Sequence, residues 1–369
     1  MTAFGATIDR TADELRVAAE SLHAADAPVD AGNSGTTLRL LAGVAGIFAG
    51  TTTLTGDASL RKRPMGPLLD ALNGLGAHTR SLGGDGLPPV EVQGVLHGGT
   101  ISIPGSISSQ FLSSLLIACP LALASSEIRL VRPLRSEPYV EVTRQMLRTF
   151  GVEIPAGGDT CLVRGGQVYR PADVDIPGDF SAAAFPLVAA ILTDGDVSVE
   201  GLDLDSPQGD RKVLGFLTSF GARVDATEER VRARGGDLVG QTIDIGDTPD
   251  LFPILAVLAT QADGETRFVN GDHLRFKESD RISATVAMLR ALGGRVQPTP
   301  DGCIILGPNR LHGAFVDSRG DHRILMAAAV AGLAAEDAVD ISDPGCFRIS
   351  YPSFLEDMRA LGAVHAVVP

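Results

Sequence analysis

A glycine that closes a leucine-rich helix returns about every seventy residues along this chain, and that period restricts the folds open to it. The copies are Leu72-Asn73-Gly74-Leu75-Gly76-Ala77, Met146-Leu147-Arg148-Thr149-Phe150-Gly151-Val152 and Phe216-Leu217-Thr218-Ser219-Phe220-Gly221-Ala222, then Met288-Leu289-Arg290-Ala291-Leu292-Gly293-Gly294 and Met358-Arg359-Ala360-Leu361-Gly362-Ala363. Their final helix-stop glycines, Gly76, Gly151, Gly221, Gly293 and Gly362, are 75, 70, 72 and 69 residues apart. Glycine tolerates the positive φ that ends a helix and side chains resist it, so each reads as a helix stop before a strand. One such run is common in any α/β protein. Five at near-constant spacing mark a repeated supersecondary unit.

A second pattern runs in phase with the first. Asn33-Ser34-Gly35-Thr36-Thr37, Ser108-Ser109-Gln110, Asp179-Phe180-Ser181, Asp250-Leu251-Phe252 and Asp321-His322-Arg323 each set a polar cap before an apolar helix. Asp179, Asp250 and Asp321 are each 71 residues apart. The helices expected from Phe180 to Leu192 and from Ile324 to Ala335 are apolar nearly all round, as buried helices are. Each unit should hold one buried helix, one amphipathic helix and several short strands. Arg170-Pro171-Ala172-Asp173 reads as a crossover, which gives an N-terminal domain of residues 1–172 and a C-terminal domain of residues 173–369. Stepping the period back from Gly76 lands on Gly5, so Met1 is expected to fall inside a unit whose first part, about 65 residues by the period, is absent.

At 369 residues the chain is long enough for two domains. With 44% hydrophobic residues and no Trp, the core should be aliphatic. The net charge of −14 argues against a nucleic-acid surface, which needs basic stripes. It leaves small anionic substrates open, because nearby donors outweigh a distant field. Cys119, Cys161, Cys303 and Cys346 have no ligand-like spacing and read as thiols in a reducing compartment. The N-terminus has no basic segment leading into an apolar one. Apolar stretches break before the roughly 18 residues that a membrane span needs. A cytoplasmic protein is expected.

Helix N-termini present free N–H groups and a positive dipole end to anions. Gly32 to Arg39 adds glycines and hydroxyls to such a start, though an ordinary capped helix reads the same way. Ser106 to Gln110 is a similar donor cluster or a Ser-rich turn. Arg61-Lys62-Arg63-Pro64-Met65 is a basic run before a helix, with Pro64 expected at the first helical position. Lys277-Glu278-Ser279-Asp280-Arg281 is a dense charge cluster or a surface turn. Gly320-Asp321-His322-Arg323 sets three ionisable groups against an apolar helix, where charges need partners, and favours function. The candidate donors are Arg63, Lys277, Arg281 and Arg323; the candidate carboxylates are Asp250, Glu278 and Asp321. Several arginines suit bidentate capture of phosphate or carboxylate. No Walker A sequence, no Gly-x-Gly-x-x-Gly after a strand and no Gly-x-Ser-x-Gly elbow is present.

At these residues the chain closely resembles the 5-enolpyruvylshikimate-3-phosphate (EPSP) synthase family. The motifs are Asp30-Ala31-Gly32-Asn33-Ser34-Gly35-Thr36-Thr37-Leu38-Arg39, Arg61-Lys62-Arg63-Pro64-Met65, Ser108-Ser109-Gln110-Phe111-Leu112, Ser136-Glu137-Pro138-Tyr139, Lys277 to Arg281 and Gly320 to Arg323, in family order over nearly the whole chain. The resemblance implies a two-domain α/β enolpyruvyl transferase fold. It consists of inside-out barrels built from six βαβαββ units that close over substrate. It implies transfer of the enolpyruvyl group of phosphoenolpyruvate to the 5-hydroxyl of shikimate 3-phosphate, by a monomer with no metal or organic cofactor. By motif, Ser108, Ser109, Gln110, Ser136, Tyr139, Asp250, His273 and Lys277 resemble shikimate-phosphate ligands. Gly35, Arg63, Gln110, Arg281 and Arg323 resemble the phosphoenolpyruvate site. Asp250, Glu278 and Lys277 stand as the catalytic set, with the two carboxylates resembling the proton-transfer residues.

Two departures accompany the resemblance. The absent front of the first unit should carry a Lys-Ser pair and a following Arg. In Cys346-Phe347-Arg348-Ile349-Ser350-Tyr351-Pro352, Ile349 stands where the family usually has Lys, and in an extended segment Arg348 would face the other way. They suggest a second reading, a weakly active or non-catalytic homologue that binds shikimate 3-phosphate. The related transferase acting on UDP-N-acetylglucosamine fits less well, since no Cys precedes Arg63.

Overall fold

The computed structural model describes residues 1–155 and 158–367, and the sequence repeat is the repeat of the fold. An antiparallel hairpin comes first, β1 (Thr7–Arg10) and β2 (Leu15–Ala18). A full unit follows: β3 (Val29–Asp30), α1 (Gly35–Ala45), β4 (Gly50–Thr55), α2 (Gly66–Gly74), β5 (His78–Ser81) and β6 (Val90–Gly94). β3 runs parallel to β4, and β6 lies antiparallel between β4 and β5. The next unit holds β7 (Gly99–Pro104), α3 (Ser109–Ala118), β8 (Ser126–Val131), α4 (Pro138–Thr149) and β9 (Thr160–Val163), with strand order β7-β8-β9.

The second half repeats the scheme. It begins with α5 (Phe180–Leu192), β10 (Asp196–Glu200), α6 (Val213–Phe220), β11 (Arg223–Ala226) and β12 (Arg230–Arg234). Then come β13 (Thr242–Asp244), α7 (Phe252–Ala259), β14 (Gly264–Val269), α8 (Arg281–Ala291), β15 (Val296–Thr299) and β16 (Gly302–Gly307). Their order, β13-β14-β16-β15, reproduces β3-β4-β6-β5 pair for pair. The last unit has β17 (Phe315–Val316), α9 (His322–Gly332), β18 (Asp340–Ile341) and α10 (Phe354–Ala360). The chain divides into two compact units, Met1–Val174 and Asp175–Pro369.

The glycine period has the predicted physical cause. Gly76, Gly151, Gly221, Gly293 and Gly362 all have positive φ, between 78° and 102°, and Gly5 has 92°. At Gly221 there is a second reason, since a Cβ there would lie 2.2 Å from the Asp237 carbonyl oxygen. Within the C-terminal unit, α5, α7 and α9 pack against one another, and every residue of α7 is buried. Helices so apolar cannot face water, so the sheets and the amphipathic helices lie outside them. The core there is aliphatic with a few rings, such as Phe252 edge-on to Phe268 at 5.2 Å between centroids. Cys119, Cys161 and Cys303 are buried free thiols, and Cys346 is partly exposed. Among the described residues no helix is long and apolar enough to cross a membrane.

Three local expectations are corrected. Pro64 is not the first residue of a helix: α2 starts at Gly66 with Met65 as its cap, and Pro67 takes the early position that suits proline. Asp250 does not cap α7, whose N-cap is Leu251; its carboxylate is drawn to two arginines instead. The segment at Cys346–Ile349 is a 3-10 turn, not an extended strand, and the Arg348 guanidinium sits 5.6 Å from the centroid of the Phe347 ring.

Candidate active site

The candidate residues of the N-terminal unit gather at Gly35, the first residue of α1. Ser34 caps this helix by accepting the Thr37 N–H at 3.1 Å. Gly35 itself has no need of positive φ; its requirement is space. A Cβ there would meet Arg63 Nη1 at 3.1 Å, Arg39 Nη1 at 3.7 Å and Gln110 Oε1 at 3.8 Å. Gln110, one residue into α3, donates through Nε2 to Thr36 Oγ1 at 2.7 Å and accepts from Arg39 Nη1 at 2.8 Å. Ser108 caps α3 by accepting the Gln110 N–H at 3.2 Å, and Ser109 is buried in the first turn. Arg63 is 5% exposed and donates through Nη2 to Asn33 Oδ1 at 2.9 Å. Ser136 and Tyr139 lie elsewhere, Ser136 two residues ahead of α4 and Tyr139 in its first turn. Ser136 is buried with φ of 56°, a left-handed backbone that serine adopts only under constraint from its surroundings.

In the C-terminal unit the chemistry centres on Arg281, the first residue of α8, whose side chain is 1% exposed. Its guanidinium donates through Nη1 to Asp250 Oδ1 at 2.7 Å, through Nη2 to Glu278 Oε2 at 2.6 Å and through Nε to Asp321 Oδ2 at 3.1 Å. The planar fork of arginine can serve three acceptors in one plane, which an ammonium cannot. Asp321 is wholly buried; it caps α9 by accepting the Arg323 N–H at 3.0 Å and also accepts from Ser279 Oγ at 2.9 Å. Arg323 Nη2 donates to Asp250 Oδ2 at 3.2 Å. Asp250 and Asp321 come from the chain ahead of α7 and α9, and the arginines that meet them, Arg281 and Arg323, stand in the first turns of α8 and α9.

The electrostatics follow from these pairs. Burial alone would raise the pKa of Asp250, but Arg323, Arg281 and Lys277 together overcome it and hold the carboxyl far below its ordinary range. Arg281 is pushed up because three carboxylates outweigh its own desolvation. His322, first in α9, is lowered to about 4 by burial and by neighbouring Arg323, against the opposing pull of Asp321, so its imidazole is neutral at pH 7. His273 is buried in the 3-10 turn that runs from Asp272 to Phe276, and Lys277 ends that turn. Among the described residues no group of three His, Cys, Asp or Glu side chains is placed to hold a metal ion.

Some participants carry no assigned role on the sequence reading. Arg39 is buried, donates to Ser108 Oγ, Gln110 Oε1 and the Pro64 carbonyl, and lies 5.0 Å from the Phe111 ring centroid. The signal was available: Arg39 follows Gly35 by four residues, hence one turn along the same helix face. Asp321 reads in the sequence as a helix cap and a candidate carboxylate, without its bond to Arg281. Its place as a buried link between α8 and α9 depends on tertiary packing.

The family of EPSP synthase (3-phosphoshikimate 1-carboxyvinyltransferase) matches residues 1–358. The chain belongs to that family. The 3-phosphoshikimate 1-carboxyvinyltransferase of Methanocorpusculum labreanum is 47% identical over 364 residues, covering 98% of this chain and 86% of the relative. That of Methanocella arvoryzae is 47% identical over 365 residues, with the same coverage. Among solved structures, an EPSP synthase from Acinetobacter baumannii superposes with a TM-score of 0.80 at 29% identity, covering 98% of this chain and 86% of that one. The enolpyruvyl transferase NikO from Streptomyces tendae, at 22% identity and a TM-score of 0.79, shares the fold. The two-domain enolpyruvyl transferase fold expected from the motifs is therefore the fold of this chain.

Proposed function

We propose that this chain is a 3-phosphoshikimate 1-carboxyvinyltransferase, transferring the enolpyruvyl group of phosphoenolpyruvate to the 5-hydroxyl of shikimate 3-phosphate with release of phosphate. The observation that carries the chemistry is the Arg281 cluster: three carboxylates and two further cations arranged around one buried guanidinium. In the reaction the 5-hydroxyl oxygen bonds to C2 of phosphoenolpyruvate, its proton leaves, and C3 gains a proton. The C2–O bond to phosphate then breaks as C3 gives a proton back.

Each step asks something of a residue. Asp250, ionised across the working pH range, is assigned to accept from the 5-hydroxyl. Glu278 is assigned to proton transfer at C3, and Lys277 to charge neutralisation beside Asp250. Arg281 and Arg323, with Gly35, Arg63 and Gln110, are assigned to phosphoenolpyruvate, whose phosphate and carboxylate suit planar forks. Ser108, Ser109, Gln110, Ser136, Tyr139, Asp250, His273 and Lys277 are assigned to shikimate 3-phosphate. Cationic charge at C2 is stabilised by carboxylates that are fixed before the reaction starts and need no reorganisation during it. The reading places the protein in the cytoplasm as a monomer working on small molecules. A net charge of −14 supports the exclusion of nucleic acid.

The reading of a weakly active or non-catalytic homologue is not favoured, because the relatives that match 98% of the chain carry the transferase name. Phosphate release from the 369-residue chain supplied with both substrates tests the assignment. Sustained turnover is expected. Calorimetric binding of shikimate 3-phosphate with no turnover would replace it with the binding-protein reading.

A further inference from the structure

We infer that Asp57, an exposed residue with no place among the assigned ligands, is a positioning residue that sets the guanidinium of Arg63 from both ends. One end is the backbone. Asp57 Oδ1 accepts the Leu60 N–H at 2.7 Å and its carbonyl accepts the Arg61 N–H at 3.0 Å, so Asp57 holds the first residues of the 3-10 turn Leu60–Lys62, whose N-cap is Ser59 and from which Arg63 emerges. The other end is the side chain. Asp57 Oδ2 accepts Asn33 Nδ2 at 2.7 Å, and Asn33 Oδ1 accepts Arg63 Nη2 at 2.9 Å. This order is forced by chemistry. A carboxylate only accepts and a guanidinium only donates, so the amide of Asn33 has one orientation that serves both. Without Asp57 the amide is free to turn its NH₂ toward Arg63, donor against donor.

Side-chain contacts between the same two chain segments occur in other units too, though not between equivalent residues. Asp57 lies just past β4 and holds the loop that follows β3 through Asn33; its own N–H donates to the Gly32 carbonyl at 2.8 Å. In the corresponding unit of the second half, Asn270, just past β14, donates through Nδ2 to Asp244 Oδ2 at 2.7 Å, at the end of β13. In the last unit Asp343, just past β18, accepts from Ser318 Oγ at 2.9 Å in the loop after β17. Each contact holds the chain ahead of the helix that follows, at the end of β13 in one case and in a loop in the others, and in the Asp57 case that stretch carries Asn33, the partner of Arg63.

The inference rests on the assignment of Arg63 to phosphoenolpyruvate, and kinetics can separate the two. Steady-state rates would be measured for Asp57→Ala, Asp57→Asn, Arg63→Ala and the Asp57→Ala/Arg63→Ala double variant, varying each substrate with the other saturating. Asp57→Ala should raise KM for phosphoenolpyruvate about tenfold, since a displaced binding group costs one to two decades. KM for shikimate 3-phosphate should stay within about twofold. Asp57→Asn keeps the shape and one acceptor oxygen, so its KM for phosphoenolpyruvate should rise above the parent's by less than about tenfold, a result that is readable even if Asp57→Ala folds poorly. The double variant should be no worse than Arg63→Ala. If Arg63→Ala leaves KM for phosphoenolpyruvate unchanged, the site assignment fails. If Arg63→Ala raises KM while Asp57→Ala and Asp57→Asn do not, the relay is overturned and the assignment stands. Multiplicative losses in the double variant, or a lowered melting temperature with both KM values unchanged, would also overturn the relay.

Discussion

The charges at the centre of the C-terminal unit work because one residue serves three acceptors. Arg281→Ala would leave Asp321 buried at 0% exposure with Asp250 and Glu278 beside it. Removing one partner from a buried ion cluster typically costs about 3–5 kcal/mol. Urea unfolding should show a loss of that size, and turnover should fall by about 10²-fold or more as preorganised charge is lost. A loss under about 1 kcal/mol would mean that water reaches these carboxylates easily. His322 supplies a pH test. Its native pKa is about 4 against an ordinary 6.5, so the unfolded chain binds its proton first. The native state holds fewer protons between these values, and stability must fall as pH drops from 6.5 towards 4. At pH 5.5 the His322 contribution to that fall is about 1 kcal/mol. His322→Gln should flatten the stability curve between pH 6.5 and 5.5, a window above most carboxylate titration. Curves of equal slope for parent and variant would show that the imidazole is not held neutral by burial.

Elements, more than side-chain partnerships, were legible in the sequence. The glycine period and the polar caps depend on local backbone rules: Gly76, Gly221 and Gly362 need positive φ, and Asp179 and Asp321 do cap their helices. Asp250 broke the same rule because Arg281 and Arg323 offer its carboxylate more than a backbone N–H would. That competition is between residues 31 and 73 positions away, which no local window contains. Pro64 and the 3-10 turn at Cys346–Ile349 escaped for a smaller reason, since boundaries depend on which of two nearby prolines or turns the packing selects. Asn33 and Asp57 were hidden because a relay of amide and carboxylate leaves no mark in composition. The helix stops carry a test of their own. Gly221→Ala and Gly362→Ala impose the same left-handed strain, about 1–2 kcal/mol. At Gly221 the new Cβ would also lie 2.2 Å from the Asp237 carbonyl oxygen, whereas at Gly362 nothing lies within 4 Å. Gly221→Ala should therefore be the more destabilising by at least about 1 kcal/mol in urea unfolding. Equal losses would show that backbone strain alone explains the period.

At the scale of the whole molecule, the repeat produces two units with separate cores, one gathered around Leu38, Phe111 and Leu115 and the other around Phe185, Phe252 and Phe268. Residues 175–369 form the larger assembly, with three buried helices packed on one another and the entire Arg281 cluster inside. Nearly two hundred residues are ample for a self-sufficient hydrophobic core. Expressed alone, this unit should unfold in a single cooperative transition. Phe268→Ala removes a ring that packs edge-on to Phe252 and should cost about 3–5 kcal/mol. If the core is complete within the unit, the same loss should appear in the isolated unit and in the full chain, because every atom that closes on the vacated space is present in both. The comparison is made by urea titration of four proteins, the two lengths with and without the substitution. A unit that fails to fold alone, or a cost that differs between lengths by more than about 1 kcal/mol, would show that its core is completed from outside residues 175–369.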